Sequence, residues 1–363
     1  MSGSSDTDAF NAADFEALAR EKLDEGAYGY FAGGAGDERT LRDNIEAYAR
    51  RRLRPRVLID VSGTSAATTA LGADITMPLL VAPVAFQRVA HPDGEPATAR
   101  AVADAGTVMC LSTLATASAQ EVADAAPDGA RWFQLYCFSD RAVTEDLVAQ
   151  AVEGGYQAVV LTVDAPVLGR RERDLRTGFA IPADLEVPSF SRAIGGRREA
   201  TLQDMFELLD QSLTWRDVEM LAGLSDLPVV VKGVLTPEDA RMAVDHGAGA
   251  IVVSNHGGRQ LDGVPAALDA LPDVVEAVDG RVEVYVDGGV RRGTDVVTAV
   301  ALGARAVLIG RPVIWALTVG GEDGVRRILG LLRDEIELAL ALLGCRSPDD
   351  LEPRHVAAPG RHR

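Results

Sequence analysis

The stretch PVVVKGVLTPEDARMAVDHGAGAIVVSNHGGRQLD, residues 228–262, contains one complete structural unit. It opens with the β-branched apolar run PVVVKG (228–233). The stretch PEDARMAVDHG has helical spacing, and the second apolar run AIVVSN (250–255) completes the unit. Apolar runs without polar alternation predict strands buried on both faces, and helices between them predict a parallel sheet with a helical cover. The same texture recurs along the chain. LLVAPVA (79–85), VMCLST (108–113), RWFQLY (131–136) and AVVLTVD (158–164) precede the unit, and EVYVDGG (283–289) and AVLIGR (306–311) follow it. Eight strand–helix units predict an α/β protein of the (β/α)8, or TIM, barrel class. A doubly wound open sheet is the alternative, and the lack of GxGxxG after the first run argues against it.

Outside the repeat, residues 1–10 read as a disordered tail and 11–350 as a single barrel domain. Residues 11–77 read as an N-terminal helical segment. There ADFEALAREKL repeats apolar residues at helical spacing with Asp14 as a candidate cap, and a second helix is expected from about 38 to 50. Residues 351–363 read as a C-terminal tail. One interval breaks the rhythm. About 172–214, after the fourth strand, is too long for an ordinary loop and holds Pro182, Pro188, Gly195 and Gly196. It predicts a mobile lid over the barrel mouth.

The net charge of −18 argues against nucleic acid and anionic membrane surfaces as partners. No apolar run is long enough to cross a bilayer, and the polar start MSGSSDTDAF does not resemble a secretory signal. Cys110, Cys137 and Cys345 are widely spaced, without metal-ligand spacing. They read as reduced core thiols, so a cytoplasmic location and no metal are expected.

In a barrel of this class chemistry sits where the strands end. The strand ends here are Ser112, Gln134 with Tyr136, Thr162 with Asp164, Lys232, Ser254 with His256, Asp287, and Gly310 with Arg311. Polarity simply beginning at strand ends explains two or three of these. It does not explain a lysine in a chain that has only Lys22 and Lys232, together with a histidine and an amide at matching depth. DGGVRRG (287–293) and GRP (310–312) end the last two strands. Glycines there let backbone N–H groups approach an anion, with Arg291 and Arg311 adding charge. The remaining histidines have plainer readings: His91 orders a loop, His246 ends a helix, and His355 and His362 lie in the tail. Tyr28 and Trp132 read as packing.

SNHGGRQLD (254–262), with LTVDAPVLGRRERD, PVVVKGV, DGGVRRGTDV and IGRPV, closely resembles the FMN-dependent 2-hydroxy-acid oxidase and dehydrogenase family. This is the family of glycolate, lactate and hydroxymandelate oxidases, and the resemblance runs from about residue 10 to 350. It implies non-covalent FMN, a small 2-hydroxy acid as substrate, and a homotetramer. It makes His256 the base, with Asp164 behind it. It implies Arg259, Arg171, Tyr30 and Tyr136 as substrate contacts and Lys232 as the cation beside the flavin. Pro83, Val84, Ala85, Ser112, Gln134, Thr162 and Ser254 are implied around the flavin ring. Asp287, Gly289, Arg291, Gly310 and Arg311 are implied at the ribityl phosphate.

Glycolate oxidases usually read APTA where this chain has Val84, and carry tryptophan where it has Leu114. The resemblance therefore leans towards hydroxymandelate oxidases and a substrate larger than glycolate. Ala85 matches the oxidases rather than the mandelate dehydrogenases, which favours O2 as acceptor. A quinone-linked dehydrogenase, a lactate-type monooxygenase and a peptide-modifying enzyme remain the alternatives at this stage.

Overall fold

The computed structural model describes residues 8–193 and 201–357. At its centre a closed parallel barrel runs in sequence order, β1 Leu79–Val81, β2 Met109–Leu111, β3 Arg131–Leu135, β4 Val159–Thr162, β5 Val229–Val234, β6 Ala250–Val253, β7 Glu283–Asp287 and β8 Ala306–Ile309. β8 pairs back onto β1. Every predicted run forms one of these strands. The cause is visible in the packing. Cys110, Trp132, Val160, Val230, Val252 and Tyr285 form one cluster inside the barrel, while their chain neighbours Leu111, Phe133, Leu161, Val231, Val253 and Val286 join the larger core beneath the helices. Alternation along each strand puts the two sets on opposite faces, and both faces are dry.

Three local features differ from the sequence reading. The N-terminal segment is not wholly helical. Thr68–Ala70 and Ala73–Ile75 form a hairpin through Leu71 and Gly72, both at positive φ. Ala70 and Ile75 pack on the interior cluster, and the Leu71 N–H donates to Glu283 Oε2 at 2.9 Å, which closes the end of the barrel opposite the catalytic mouth. The helical part is three helices, α1 Ala12–Lys22, α2 Glu25–Ala32 and α3 Arg39–Ala49. Asn11, not Asp14, caps α1, its side chain accepting from the N–H groups of Ala13 and Asp14. Both tails are shorter than expected. Ala9 is buried and its carbonyl accepts from the Arg327 guanidinium, while Val356–Ala357 pair with Arg52–Leu53 and bury His355. The outermost tail residues, 1–7 and 358–363 with His362, lie outside the described residues.

The interval after β4 contains the short helices Glu172–Thr177, Pro188–Ala193 and Leu202–Glu207 before the barrel resumes with Trp215–Ala222. Leu202 and Phe206 of this segment line the cleft at the mouth. Gly195 and Gly196 lie outside the described residues.

The N-terminal segment is stapled to the loop after β6. Asp262 accepts from the N–H groups of Asp37 and Thr40, at 3.1 and 2.8 Å, at the start of α3. Asp262→Ala leaves both donors unpaired and removes an anion from a helix N-terminus. We expect a loss of about 1–3 kcal/mol, read as a lower urea midpoint with an unchanged slope.

Candidate active site

The inward parity that fills the barrel with apolar side chains continues one layer higher with polar ones. Two residues beyond Cys110, Trp132, Val160, Val230, Val252 and Tyr285 stand Ser112, Gln134, Thr162, Lys232, Ser254 and Asp287, all buried. Lys232 Nζ lies 3.1 Å from Asp287 Oδ2 and donates to Ser254 Oγ at 3.0 Å. Burial opposes its charge, but Asp287 and Asp164 outweigh this and hold the ammonium above its ordinary pKa. Gln134 accepts from the Thr113 N–H through Oε1, yet its Nε2 is buried without a partner. Thr162 Oγ1 and Asp287 Oδ1 are orphaned in the same way. A native interior rarely leaves three such groups unpaired, so this layer is built to meet a polar ligand.

Above it lies the His256 constellation. Gly233 bulges β5 just past Lys232 at φ +117°, and a Cβ there would meet Asp164 Cβ at 2.7 Å. That close approach brings β4's Asp164 beside the loop after β6. Asp164 Oδ1 accepts from His256 Nδ1 at 2.8 Å, which fixes the tautomer and leaves Nε2 as the free basic nitrogen. Burial pushes Asp164 up, but His256 and Lys232 outweigh it and keep the carboxyl below the usual range. Burial, aided by Lys232 and Arg171, holds His256 below its ordinary value despite Asp164. The imidazole is therefore neutral at neutral pH and able to accept a proton.

Arg259 sits 4.8 Å over the Tyr30 ring and donates to the carbonyls of Tyr30 and Gly33. Burial and nearby Arg171 lower it to about 10. Arg171 is buried and contacts the Arg259 carbonyl at 3.4 Å. His256, Arg259, Arg171, Tyr30, Tyr136 and Leu114 line one cleft of about 440 Å³ with Ser112, Gln134, Thr162 and Lys232 at its base.

A second cleft of about 790 Å³ continues from Lys232, His256 and Pro83–Ala85 to Asp287, Gly289, Arg291, Gly310 and Arg311. Gly289 lies at φ +86° and a Cβ there would meet the Asn44 carbonyl at 2.0 Å. Gly310 is the N-cap of the helical segment Arg311–Leu343, which is broken at Gly320 and Gly321 and whose open N-terminus faces this cleft. Arg311 donates to the carbonyls of Phe31, Gly257 and Gly33. Burial, with Arg259 and Arg291 nearby, holds it well below its usual pKa. Among the described residues, none of Arg171, Arg259, Arg291 and Arg311 forms an ion pair with a carboxylate. Arg171 is buried and the other three are half-buried, and guanidinium groups so placed without a carboxylate partner suit anionic ligands. A phosphate at Gly310 and Arg291, and a carboxylate between Arg171 and Arg259, meet that need. The orphaned polar layer between them suits the edge of a flavin ring.

The chain matches the FMN-dependent dehydrogenase family over residues 19–358. It belongs to that family.

Among its relatives are Glycolate oxidase 3 of Arabidopsis thaliana, 50% identical over 351 residues with 95% of each chain covered, and the glycolate oxidase of Spinacia oleracea, 49% identical over 353 residues with 96% of this chain and 95% of that one covered. Among solved structures, mandelate oxidase with (S)-4-hydroxymandelic acid superposes with a TM-score of 0.91 at 44% identity, covering 96% of this chain and 98% of that one. The family's cofactor is FMN, and the clefts fit it.

Every site residue expected from sequence lies in or directly behind these two clefts. Sequence reasoning missed Phe206 and Leu202, which roof the smaller cleft. It also missed Asn44 and Gln260. Asn44 exchanges two hydrogen bonds with Asn255, at 2.9 and 2.8 Å. Gln260 accepts from the Gly169 N–H and donates to the Asp164 carbonyl. Gln260 was visible within SNHGGRQLD. Among the plainly read residues, Tyr28 stacks on Trp315, Trp132 is fully buried, His91 accepts from the Asp93 N–H, and His246 follows the last turn of Pro237–Asp245.

Because His256 is needed neutral and is held below 6.5, kcat/KM should stay flat as pH falls through 6.5 and drop only below it. Asp164→Asn removes the main influence raising His256. The acid limb should move to still lower pH, and the plateau should fall because the imidazolium loses its stabilising anion. A pH–rate profile of both proteins checks the two shifts together.

Proposed function

We propose that this protein oxidises (S)-2-hydroxy acids larger than glycolate, mandelate-type or medium-sized, to 2-keto acids. The electrons pass through FMN to O2, giving H2O2. The observation that carries the reading is one small cleft holding a neutral base, His256, and two guanidinium groups without counterions, Arg171 and Arg259. An anion with an ionisable hydrogen beside its carboxylate is the ligand such a cleft accommodates.

Arg259 and Arg171 hold the carboxylate, with the planar fork of a guanidinium matching its two oxygens. Tyr30 flanks the same group. Tyr136 donates to the substrate hydroxyl and then to the keto oxygen. Burial holds its phenol above the ordinary value, so it remains a donor. His256 takes one proton through Nε2, either from the hydroxyl or from C2, and Asp164 stabilises the imidazolium that results. FMN, when bound, would supply the acceptor for the electron pair that leaves C2. Lys232 places a fixed positive charge where that pair arrives. Ser112, Gln134, Thr162 and Ser254 would hold the polar edge of the ring, with the backbone of Pro83, Val84 and Ala85 beside it. Asp287, Gly289, Arg291, Gly310 and Arg311 hold the ribityl chain and phosphate.

Substrate size follows from the walls. Leu114 stands where glycolate oxidases carry tryptophan, and Phe206 lies 5.9 Å from the Tyr136 ring. Together they offer an apolar surface to a bulky side chain. Ala85 supports O2 as acceptor by its likeness to the oxidases. Three buried free cysteines support a reducing cytoplasmic setting, and the family resemblance supports a homotetramer. Among the described residues no helix is long and apolar enough to cross a membrane.

Anaerobic mixing with a panel of 2-hydroxy acids tests the reading. Mandelates should bleach the yellow protein faster than glycolate, and air should restore the colour quickly. His256→Gln should keep its FMN but lose turnover by about 10²–10⁴-fold. Arg259→Ala should raise KM steeply and lower kcat as well, since orientation is lost with binding. Leu114→Trp should turn preference towards glycolate and lactate, read as a ratio of kcat/KM values.

A further inference from the structure

A third cavity, which the reaction above does not use, lies on the other side of Tyr136 and Thr162. It lies beside the ends of β4 and β5 and beneath the segment that leads into Trp215–Ala222, and opens to solvent on one side. Leu161, Leu213, Trp215, Val218 and Val234 supply an apolar wall, and Gln211, Thr214 and Asp239 stand among the polar residues that complete the lining. Tyr136 and Thr162 line both this chamber and the substrate cleft, so they form the partition between them. The two spaces differ sharply in charge. The substrate cleft carries Arg171, Arg259 and Lys232. The chamber is lined by no lysine or arginine among the described residues; Asp239 stands on it, and Asp210 does so paired with Arg141 at 2.5 Å. An anionic hydroxy acid is attracted to the first space and finds no cation lining the second.

We infer that this chamber admits O2 to the reaction centre, as an entrance separate from the one the hydroxy acid uses. The inference rests on the oxidase reading. The electron pair that leaves the substrate ends on O2, which takes up two protons to become H2O2. O2 is small, uncharged and apolar, and collects along an apolar wall where a carboxylate does not. The substrate cleft is roofed by Leu202 and Phe206 and filled by the hydroxy acid or its product, whereas the chamber reaches the same Thr162 from behind.

Trp215 makes the chamber observable, because Trp132 and Trp315 are fully buried elsewhere. In the FMN-loaded protein, the fluorescence lost in Trp215→Phe defines the Trp215 signal. O2 should quench that signal efficiently, and iodide, an anion, should quench it poorly. Leu213→Phe and Val218→Phe narrow the chamber without touching the catalytic groups. Each should cut the O2 quenching of Trp215 and slow recolouring of substrate-reduced protein in air by about three- to ten-fold. Their anaerobic bleaching by the hydroxy acid should be unchanged, which also shows that they fold and hold FMN. Fast recolouring in both narrowed variants, or a Trp215 signal that O2 does not quench, overturns the proposal while leaving the oxidase reading intact. Slow recolouring of the unaltered protein in air overturns the oxidase reading, and this proposal with it.

Discussion

The catalytic geometry depends on a turn that the chain does not adopt readily. His256, Gly257 and Gly258 follow β6 with φ of +59°, +62° and +75°. Left-handed backbone suits glycine, but a histidine held there costs on the order of 1–3 kcal/mol and persists only where its surroundings over-determine it. They do so here. Ser254 Oγ accepts the His256 N–H, Asn255 Oδ1 accepts the Gly258 N–H, and Asp164 holds the ring. Asn255 is in turn locked by the amide of Asn44, which belongs to α3. A Cβ on Gly258 would stand 2.6 Å from the Leu41 backbone nitrogen, so only glycine lets α3 come this close. The base is therefore positioned by the N-terminal segment as much as by the barrel.

The charges follow a second constraint. The site's carboxylates are committed, Asp164 to His256 and Asp287 to Lys232. That leaves four guanidinium groups whose hydrogen bonds run to backbone carbonyls and side-chain amides. Such an array is costly without ligand, and becomes favourable when a phosphate and a carboxylate arrive. A chain of net charge −18 thus maintains a cationic interior cleft, with acidic surface surrounding it. These cations draw anions to the mouth.

How much of this was readable follows from the range of the interactions. Strand runs such as AVVL and AIVV are local patterns, so the barrel was legible. So were Lys232 and His256, because inward parity places the residue two or four beyond a barrel-filling side chain at the mouth. The hairpin at Leu71 and Gly72 joins TTA to ADI, too short and mixed to read as strands, and only the open end of the barrel explains why it forms. Asn44 gave no signal. Its role exists because α3 lies against the turn after β6, 211 positions away in the chain. Phe206 likewise reads as one of three apolar residues in the short helix LQDMFE, until that helix comes to lie against Tyr136. His355 looked like tail because the pairing that buries it is with Arg52–Leu53, near the other end of the chain.

Overall similarity and pocket chemistry bear differently on the choice of substrate. The identities, 50% to a glycolate oxidase and 44% to mandelate oxidase, are whole-chain figures, and most of the chain builds the barrel and its anion-binding groups. Those residues recognise what every 2-hydroxy acid has in common, the carboxylate and the oxygen on C2. They carry no information about what is attached beyond C2. That part of the substrate meets Leu114, Phe206 and Leu202, which lie on the loop after β2 and on the segment that folds over the mouth. These elements pack on the barrel without being needed to close it, so they can change while the barrel stays fixed. Our proposal of a bulky side chain therefore rests on these three residues, and the greater identity to glycolate oxidases does not weigh against it.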